Sequence, residues 1–428
     1  MGGRSAAAAV ALPTTPTMRE RSVRSSIARR LRVLMVVESA AGGTGRHVLD
    51  LAQGMIDRGH EVHLVYSTGR LDRIFQARLN AMPRVRRVPL AMRTNIHPSD
   101  FFVVRAVRRY LRSHGPFDVV HGHSSKAGAI ARMAALGTGA SAFYTLHGLI
   151  MMDPGLAAWK RALYLGIELA LSLRTSRIIA VSPEEGRAAL RVRLGRSRVV
   201  VVPNGVDEEG AVAPRAQARE DLRLRERDVV VGFIGRLVDQ KAPDVLLRAF
   251  ARASSADTNL RLAVVGDGPL MQRMGELAAE LDIAHRVLWL GERDARQVIA
   301  AFDVFAISSR KEGLPYVVLE AMAAGLPIVA TSSAGVELLV EPGVNGTVVP
   351  LDDVVGFGAA LARLGADLAL RAAQGASSRR LVANFTIDGM VEKTLGVYRD
   401  ALPPEPAIAE RTGGPLDDDT VELAGELT

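Results

Sequence analysis

A chain of 428 residues exceeds the size of one ordinary hydrophobic core, so two domains are expected. Cysteine is absent, which excludes disulfides, a thiol nucleophile and cysteine-ligated zinc, and no apolar run reaches the roughly 18 residues that a membrane-spanning helix needs. The net charge of +8 is uneven, with about +5 on residues 1–30, about +12 on residues 31–215 and about −9 on the remainder.

The first 207 residues are predicted to hold a disordered extension and one domain. Residues 1–30 mix an alanine run and a Pro/Thr stretch with scattered arginines, and we expect them to be disordered. From residue 31 to residue 207, short β-branched runs alternate with helical stretches, which indicates βα units and a parallel sheet. The predicted strands are residues 30–39, 61–67, 117–123, 141–148, 177–182 and 197–207.

The rest of the chain repeats this organisation. Residues 208–228 are polar, show no strand pattern and are predicted to be a linker. The alternation of strands and helices restarts at residue 229 and continues to residue 384, residues 385–402 are predicted to be a closing helix, and residues 403–428 a disordered acidic tail. The predicted fold class is α/β, with two Rossmann-like, doubly wound parallel-sheet domains facing each other across a cleft.

Two segments carry features that suit a phosphate group. In AAGGTGRHV, Gly42, Gly43 and Gly45 follow the first strand and lead into a helix, so backbone N–H groups and the helix dipole could hold an anion. In GFIGRLVDQK, Arg236 and Lys241 follow a strand of the second domain, where two cations could neutralise a diphosphate. Each segment alone also fits an ordinary alternative, because the glycines suit a tight turn without a ligand and the cations suit a solvated surface.

A pair of glutamates indicates a ligand rich in hydroxyl groups. SSRKEGLPYVVLEAMAAGLPIVATS places Glu312 in a loop and Glu320 eight residues later, on the helix that follows. Ionised carboxylates accept hydrogen bonds from sugar or ribose hydroxyls. A solvated surface position is the alternative for Glu320, but its neighbours are apolar, and a buried carboxylate needs partners.

One predicted helix is both basic and amphipathic. The segment SDFFVVRAVRRYLRSHG has a basic face made of Arg105, Arg108, Arg109 and Arg112 and an apolar face made of Phe101, Val104, Val107 and Leu111. The basic face could contact an anionic membrane or an acceptor, whereas a solvated face on a helix packed against the sheet is the more ordinary reading. Because aromatic residues make up only 4% of the chain, we expect no nucleic-acid partner. We expect a cytoplasmic protein, either free or peripheral on the inner face of the cell membrane.

The segment HGH (121–123) raises the question of a metal site. We expect His121 and His123 to point to opposite faces of a strand, which argues against a shared ion. The adjacent acidic runs at residues 352–353 and 417–419 do not lie beside a predicted phosphate-binding loop. We therefore predict that the protein uses no metal and no other cofactor.

Several motifs together resemble those of the retaining glycosyltransferases of family 4, which adopt the GT-B fold. The motifs are GG-x-G-R-H, TLHG, VSPEE, VVPNGVD, GRLVDQKAPDVLL, VVGDGPL and EGLPYVVLEAMAAGLPIVAT, and the resemblance covers roughly residues 31–402. The two glutamates with seven residues between them, joined to the GR…K segment at this separation, are the most specific part. HGHSSKAGAIARMAA and TLHGLI are similar to segments of members that build bacterial polysaccharides or lipid-linked glycans.

The resemblance implies a donor site shared between the two domains. Glu320 would bind the ribose hydroxyls of a UDP- or GDP-sugar, and Arg293 would border the base. Arg236 and Lys241 would hold the donor diphosphate, and the backbone at Gly43 would approach the same phosphates from the first domain. No metal is implied at this site.

Glu312 and His147 are the residues that the resemblance places at the transferred sugar. The resulting prediction is a hexosyltransferase-type enzyme of polysaccharide or glycolipid biosynthesis, which moves a sugar to a glycan or lipid-linked acceptor with retention of anomeric configuration. One alternative is a nucleotide-sugar epimerase on the same fold, which would turn over the donor without an acceptor. Another is a non-catalytic basic protein that binds nucleic acid or a membrane.

Overall fold

The computed structural model describes six segments of the chain. They are residues 29–152, 156–195, 198–207, 213–255, 259–333 and 335–403. The two segments predicted to be disordered, residues 1–30 and 403–428, lie outside this part of the chain except for residues 29, 30 and 403. Among the described residues, no helix is both long and apolar enough to cross a membrane.

The first domain is a seven-stranded parallel sheet with helices packed against it. Its strands are β1 (Arg32–Val37), β2 (Glu61–Ser67), β3 (Arg86–Leu90), β4 (Val119–His123), β5 (Ser141–Thr145), β6 (Arg177–Ala180) and β7 (Val199–Val201). Its helices are α1 (Gly42–Asp57), α2 (Arg73–Asn80), α3 (Asp100–Ser113), α4 (Ser125–Ala135), α5 (Ala158–Ser172) and α6 (Pro183–Arg191). The strand order β3-β2-β1-β4-β5-β6-β7 is that of a doubly wound sheet, because the chain starts at the centre and winds outwards in both directions.

The core of this domain lies on both faces of β1. Val33, Met35 and Val37 belong to one hydrophobic cluster, Leu34 and Val36 belong to another, and all five side chains are fully buried. A parallel strand that is covered on both faces needs apolar residues at every position. The uninterrupted apolar run in the sequence therefore predicts this strand well.

β3 is a strand that the sequence analysis did not predict. Its residues RRVPL include two arginines and Pro89, and only Val88 and Leu90 are buried. The strand lies at the edge of the sheet, where a proline breaks no ladder on its open side and charged side chains reach solvent. The position of β3 at the edge of the sheet therefore explains why its composition is not typical of a strand.

The second domain is a six-stranded parallel sheet in the order β10-β9-β8-β11-β12-β13. Its strands are β8 (Val229–Ile234), β9 (Leu260–Val265), β10 (Val287–Gly291), β11 (Val304–Ile307), β12 (Ile328–Thr331) and β13 (Gly346–Val349). Its helices are α7 (Arg215–Asp221), α8 (Pro243–Ser254), α9 (Met271–Glu280), α10 (Ala295–Val298), α11 (Tyr316–Ala323), α12 (Val336–Leu339), α13 (Val354–Ala366) and α14 (Leu368–Val382). Short 3-10 turns occur at Thr68–Arg70, Ile150–Met152, Asp239–Lys241, Ala284–Arg286 and Ile299–Ala301.

The described part of the predicted linker carries a helix that belongs to the second domain. Ala218 of α7 and the following Leu222 are buried in one of that domain's hydrophobic clusters. Arg215 and Arg219 of the same helix form ion pairs with Asp303, which precedes β11. Residues 213–228 are therefore packed onto the domain that follows them.

A last helix, α15 (Ile387–Ala401), returns the chain to the first domain. Thr386 forms an isolated parallel bridge with Val206, and Tyr398 donates or accepts a 2.6 Å hydrogen bond with His121 on β4. Val391 packs so closely on α1 that a Cβ at Gly54 would lie 2.5 Å from it. The helix therefore follows the second domain in sequence but is built into the core of the first.

Candidate active site

The glycine segment after β1 forms the first turn of a helix and not a loop. α1 begins at Gly42, which has a φ of +55° and donates its N–H to the Asp72 carboxylate at 2.9 Å. Glycine adopts a positive φ at little cost, so the helix can begin directly at this point. A Cβ at the next residue, Gly43, would lie 3.4 Å from the Tyr316 ring of the second domain. The helix N-terminus therefore faces the other domain at close range, and Asp72 already takes one of its N–H groups.

A cavity of about 480 Å³ lies between the two domains beside this helix start. The first domain contributes Gly43 and Arg46 to its lining, and the second contributes Glu320 and Arg293. Arg293 lies in an exposed position, with its Nε 3.1 Å from the carbonyl oxygen of Leu290. The structure thus brings three residues predicted to hold the nucleotide and its phosphates to one cavity.

Glu320, on α11, is a largely buried carboxylate whose side chain is 13% exposed. Its Oε1 accepts a hydrogen bond from Nη1 of Arg46, which lies on α1 of the first domain. The Arg46 guanidinium also lies over the Tyr316 ring, 4.9 Å from its centroid, and its Nε is 3.4 Å from Asp50. Burial raises the pKa of Glu320, and the positive charge of Arg46 opposes that rise. The predicted ribose-binding carboxylate is therefore paired with a cation across the cleft.

Lys241 and Glu312 form a second ion pair, within the second domain. Lys241 Nζ lies 2.6 Å from Glu312 Oε1, and the Glu312 side chain is only 9% exposed. Lys241 closes a 3-10 turn before α8, and Ser308 Oγ fixes this turn by donating to the carbonyl oxygens of Lys241 and Ala242 at 2.9 Å each. The cation predicted at the diphosphate and the carboxylate predicted at the sugar are thus neighbours.

Arg236 lies on the turn after β8 and is exposed. Among the described residues, its side chain has no hydrogen-bond or ion-pair partner. This turn packs against the segment VGDGP. The N–H of Leu237 donates a 2.9 Å hydrogen bond to the backbone carbonyl oxygen of Asp267, and a Cβ at Gly266 would lie 2.1 Å from the Gly235 carbonyl oxygen. Gly266 also has a φ of +128°, so both its conformation and its close backbone contact require glycine. The glycines of VGDGP therefore fix the position of the turn that carries Arg236.

His147 follows β5 in a left-handed conformation, with a φ of +52°. Such a conformation is uncommon outside glycine and persists only where the surroundings hold it. Glu185 holds this turn, because its buried carboxylate accepts hydrogen bonds from the N–H groups of Gly148 and, at 2.8 Å, Val181. Burial raises the pKa of Glu185 to about 7, although both N–H groups act in the opposite direction.

The turn at His147 touches the loop that carries Glu312. Lys311 Nζ donates 3.0 Å to the carbonyl oxygen of Leu149, and a Cβ at Gly313 would lie 3.8 Å from the His147 carbonyl carbon. Glu312 and His147, predicted at the transferred sugar, therefore lie on adjoining turns of opposite domains. Neither Glu312 nor His147 is among the described residues that line the 480 Å³ cavity.

Four histidines meet in the first domain at this point. His121 and His123 have ring centroids 4.1 Å apart on one face of β4, so the expectation that they point to opposite faces is wrong. Side chains two residues apart on a strand share a face. His47 and His147 complete the group, with ring centroids 4.5 Å apart. Burial lowers the pKa of all four, to about 4 for His47 and about 3 for His121, so they are neutral at pH 7.

His47, His123 and His147 are the described residues that could together hold a metal ion. One ring nitrogen of each lies within 4.8 Å of the others. His123 Nδ1 already lies 3.2 Å from His147 Nε2, and His47 Nδ1 lies 2.9 Å from Asn204 Oδ1. Hydrogen bonds within the cluster and to Asn204 therefore involve a ring nitrogen of each of the three histidines.

The basic helix predicted in the first domain is α3, and its apolar face differs from the predicted one. The buried residues are Val103, Val107, Tyr110 and Leu111, whereas Phe101, expected on the packed face, is 67% exposed. Arg105, Arg109 and Arg112 are exposed as expected. Arg108 is not part of an open basic face, because its guanidinium donates to the carbonyl oxygens of Met133 and Ala134 at the end of α4.

Exposed aromatic and basic side chains lie in the first turns of two helices of the first domain. Phe101 and Phe102 lie in the first turn of α3, and Trp159, which is 66% exposed, and Lys160 lie in the first turn of α5. Both helices flank α4, to which they are tied by the ion pairs Lys126–Asp100 at 2.8 Å and Arg132–Glu168 at 2.7 Å. We call this surface the aromatic edge, defined by Phe101, Phe102, Arg105, Trp159 and Lys160.

Sequence reasoning assigned no role to Arg46, Glu185 or His47. Arg46 and His47 stand in the segment GGTGRH, and Glu185 stands in VSPEE, so motifs mark all three. Their partners are Glu320, Gly148 and Asn204, which lie far from them in sequence. A motif therefore identifies these positions, but only the folded chain shows what they contact.

Two family models match the chain, one in each domain. The model described as Glycosyltransferase Family 4 matches residues 41–209, and the model described as Glycosyl transferases group 1 matches residues 228–367. The chain is 30% identical over 297 residues to UDP-Gal:alpha-D-GlcNAc-diphosphoundecaprenol alpha-1,3-galactosyltransferase of Escherichia coli, which covers 67% of this chain and 76% of that protein. It is also 30% identical over 429 residues to D-inositol 3-phosphate glycosyltransferase of Mycobacterium marinum, which covers 88% of this chain and 87% of that protein.

Solved structures agree with the two-domain fold. Anabaena HepE in complex with UDP and glucose superposes with a TM-score of 0.75 at 20% identity, covering 87% of this chain and 100% of that one. Sucrose-phosphate synthase from Thermosynechococcus elongatus gives a TM-score of 0.74 at 22% identity, covering 87% and 99%. At these identities the likeness establishes the fold, and the family follows from the sequence matches. The chain is a glycosyltransferase that belongs to glycosyltransferase family 4 and has the GT-B fold.

Proposed function

We propose that this glycosyltransferase moves a hexose from a UDP-sugar to a lipid-linked glycan, with retention of anomeric configuration, in the synthesis of a cell-surface polysaccharide or glycolipid. The observation that carries the proposal is the set of predicted residues at the boundary between the domains. Glu320 lines the cavity between the domains, Lys241 pairs with Glu312, and the turn that carries Glu312 adjoins the turn that carries His147. A nucleotide in the cavity would direct its diphosphate towards Lys241 and its sugar towards Glu312 and His147.

The donor half of the proposal is a uridine nucleotide. Support comes from Anabaena HepE, whose complex contains UDP, and from the Escherichia coli relative, whose name specifies UDP-Gal. In this chain Glu320 would accept the ribose hydroxyls, and Arg236, which has no partner among the described residues, would bind a phosphate. The start of α1 at Gly43 would add N–H groups and the positive end of a helix dipole.

The proposed chemistry depends on stabilising the departing diphosphate. As the bond from the anomeric carbon to the phosphate oxygen breaks, positive charge develops on the sugar and negative charge on UDP. Arg236 and Lys241 would stabilise that negative charge from fixed positions. The acceptor hydroxyl attacks from the same face of the sugar, and its proton passes to the departing phosphate oxygen. Neither glutamate needs to act as a nucleophile, and because cations of the chain would stabilise the departing diphosphate, we expect transfer without a metal ion.

His147 would act as a neutral hydrogen-bond partner of the sugar. Burial lowers its pKa well below the usual value, so the imidazole carries no charge at pH 7. The group can therefore orient a hydroxyl without repelling the positive charge that develops on the sugar. Glu312, in contrast, is a carboxylate that would face that charge and the sugar hydroxyls.

The acceptor half of the proposal depends on the aromatic edge. Exposed aromatic side chains mixed with cations suit the boundary between lipid headgroups and acyl chains. A lipid-linked acceptor would be presented at such a boundary, whereas a soluble inositol phosphate would not need it. This surface therefore favours the acceptor type named for the Escherichia coli relative over the one named for the Mycobacterium marinum relative.

The donor proposal is tested by calorimetry with UDP, GDP and their sugars, followed by product analysis. We expect UDP to bind, and Glu320→Gln to weaken its binding about tenfold, because a charge-assisted hydrogen bond contributes roughly 1.5–3 kcal/mol. Glu276→Gln, on the exposed face of α9, is the matched control and should bind UDP as the wild type does. With a polyprenyl-diphosphate sugar as acceptor, NMR should show the anomeric configuration of the donor. An inverted product, or donor epimerised without any acceptor, would contradict the proposal.

The acceptor proposal is tested by sedimentation with lipid vesicles. The wild type should bind vesicles of equal phosphatidylglycerol and phosphatidylcholine more tightly than pure phosphatidylcholine, and salt should weaken this binding. Phe101→Ser with Trp159→Ser should reduce binding at least tenfold, because each buried aromatic side chain contributes roughly 1.5–3 kcal/mol. Val355→Ser with Leu368→Ser, two exposed positions of the second domain, serves as the control. Equal losses in both double variants would contradict a role for the aromatic edge.

A further inference from the structure

Arg46 connects the two domains at the carboxylate that is proposed to hold the ribose. Its guanidinium donates to Glu320, lies over the Tyr316 ring of α11 and approaches Asp50 of its own helix. The Arg46 and Glu320 side chains are 16% and 13% exposed, so water screens this ion pair only weakly. Both residues line the 480 Å³ cavity, and a ligand entering it meets them directly.

This ion pair competes with the proposed donor for the same carboxylate. A ribose that binds Glu320 must approach its two Oε atoms. One of these atoms already accepts a hydrogen bond from Arg46. The incoming nucleotide also carries a diphosphate, whose charge exceeds that of a single carboxylate. An arginine can bind phosphate through two parallel hydrogen bonds, as it can a carboxylate. A donor that displaces Arg46 from Glu320 therefore offers Arg46 a more highly charged anion, the diphosphate, in place of the carboxylate.

The other cations would leave the charge of a diphosphate only partly balanced. Lys241 is paired with Glu312 at 2.6 Å, so its charge is already balanced in part. Arg236 has no partner among the described residues, but one arginine does not neutralise a diphosphate. Arg46 lies three residues after Gly43, in the helix turn that is proposed to face the phosphates. Its charge and its position on α1 both suit this role.

We propose that Arg46 is a donor-phosphate ligand that Glu320 holds in place while the site is empty. This inference rests on the proposed function and adds a residue from the first domain to the donor site. On donor binding, Glu320 exchanges the guanidinium for the ribose hydroxyls, and Arg46 exchanges Glu320 for the diphosphate. No covalent bond is made or broken in this exchange, which requires rotation of the Arg46 side chain within the cavity.

Nucleosides and nucleotides separate this role from a purely structural one. A nucleoside has the ribose but no phosphate, so it has to displace Arg46 without offering it a new partner. We expect Arg46→Gln to weaken UDP binding at least tenfold, while uridine binding stays equal or becomes two- to fivefold tighter. Arg46→Lys should keep part of the UDP affinity, because it keeps the charge and loses the forked geometry. Arg248→Gln, an exposed position on α8, is the control with the same change in charge.

The outcomes of the calorimetry are distinct. A parallel loss of uridine and UDP binding in Arg46→Gln would overturn the proposal, since Arg46 would then act only by keeping Glu320 in position. Unchanged UDP binding would overturn it as well. The double variant Arg46→Gln/Glu320→Gln removes the unpaired carboxylate, and it should bind UDP more weakly than Glu320→Gln alone if Arg46 contacts phosphate. If the wild type binds guanosine and GDP instead, the same comparison with those two ligands decides the role of Arg46. A wild type that binds no nucleotide contradicts the proposed function itself.

Discussion

Replacing Lys241 by methionine should lower kcat/KM for sugar transfer by about 10²–10³-fold. Lys241 is the cation that adjoins both the turn after β8 and the Glu312 carboxylate. Negative charge develops on the diphosphate in the transition state, and removal of one fixed donor to such a charge typically costs about 3–4 kcal/mol. Most of the loss should appear in kcat, because the ground-state diphosphate keeps other partners. Steady-state kinetics with saturating acceptor and varied UDP-sugar measure both constants.

A second effect has to be separated from this one, because Lys241→Met leaves Glu312 without its cation. The Glu312 side chain is 9% exposed, and a buried carboxylate that loses its partner destabilises its surroundings. Glu312→Gln combined with Lys241→Met removes that unpaired charge, and this double variant should remain as slow as Lys241→Met if the lysine acts on the diphosphate. Lys393→Met, on the exposed side of α15, controls for the loss of one lysine. Recovery of activity in the double variant would show that Lys241 serves only to neutralise Glu312.

The fold could be predicted from sequence where burial dictates composition. β1 and β8 are buried on both faces and appear as uninterrupted apolar runs, which a parallel sheet requires. β3 could not be predicted in this way, because an edge strand needs few buried residues and tolerates Pro89. α7 has only seven residues, and Ala218 is its one buried residue, so little in its sequence distinguishes it from a polar linker.

The site was predictable to the extent that motifs mark positions. Gly43 and Glu320, two positions that the motifs mark, both line the cavity. Contacts between domains leave no periodicity in the sequence, so the pairing of Arg46 with Glu320 could not be inferred. The period of a strand places His121 and His123 on the same face, so this part of the histidine cluster is predictable from the sequence, contrary to our expectation.

Glu185→Gln should lower kcat about 100-fold at pH 8 while UDP binding stays close to that of the wild type. Ionised Glu185 offers one oxygen to the N–H of Gly148 and the other to the N–H of Val181. Protonation would convert one of those oxygens into an O–H group that faces an N–H donor. In Glu185→Gln, the amide NH2 group takes that place at every pH. The turn would then lose one of its two supports, and His147, which is held at a φ of +52°, would lose its position at the sugar.

The pH dependence distinguishes this positioning role from a general loss of folding. Because burial raises the pKa of Glu185 to about 7, wild-type kcat should rise with pH between about 6 and 8, and Glu185→Gln should show no such rise. The free energy of unfolding should fall over the pH range in which kcat rises. A carboxyl group whose pKa increases from 4.5 to about 7 on folding stabilises the native state most below pH 4.5 and loses about 3 kcal/mol of that contribution as the pH rises to 7. Thermal unfolding of Glu185→Gln should therefore depend less on pH than that of the wild type.

The neighbouring residue provides a matched control for this prediction. Glu184 lies in the same helix turn and pairs with Arg187 at the surface, so Glu184→Gln should keep both the wild-type kcat and the rise with pH. If Glu185→Gln retains the rise, the titrating group is another residue, and the hydrogen bonds to Gly148 and Val181 do not limit the reaction. If UDP binding falls as much as kcat, the substitution disturbs the whole cleft and not the turn at His147. Only a fall in kcat without a fall in UDP affinity, together with loss of the pH dependence, assigns Glu185 to the positioning of His147.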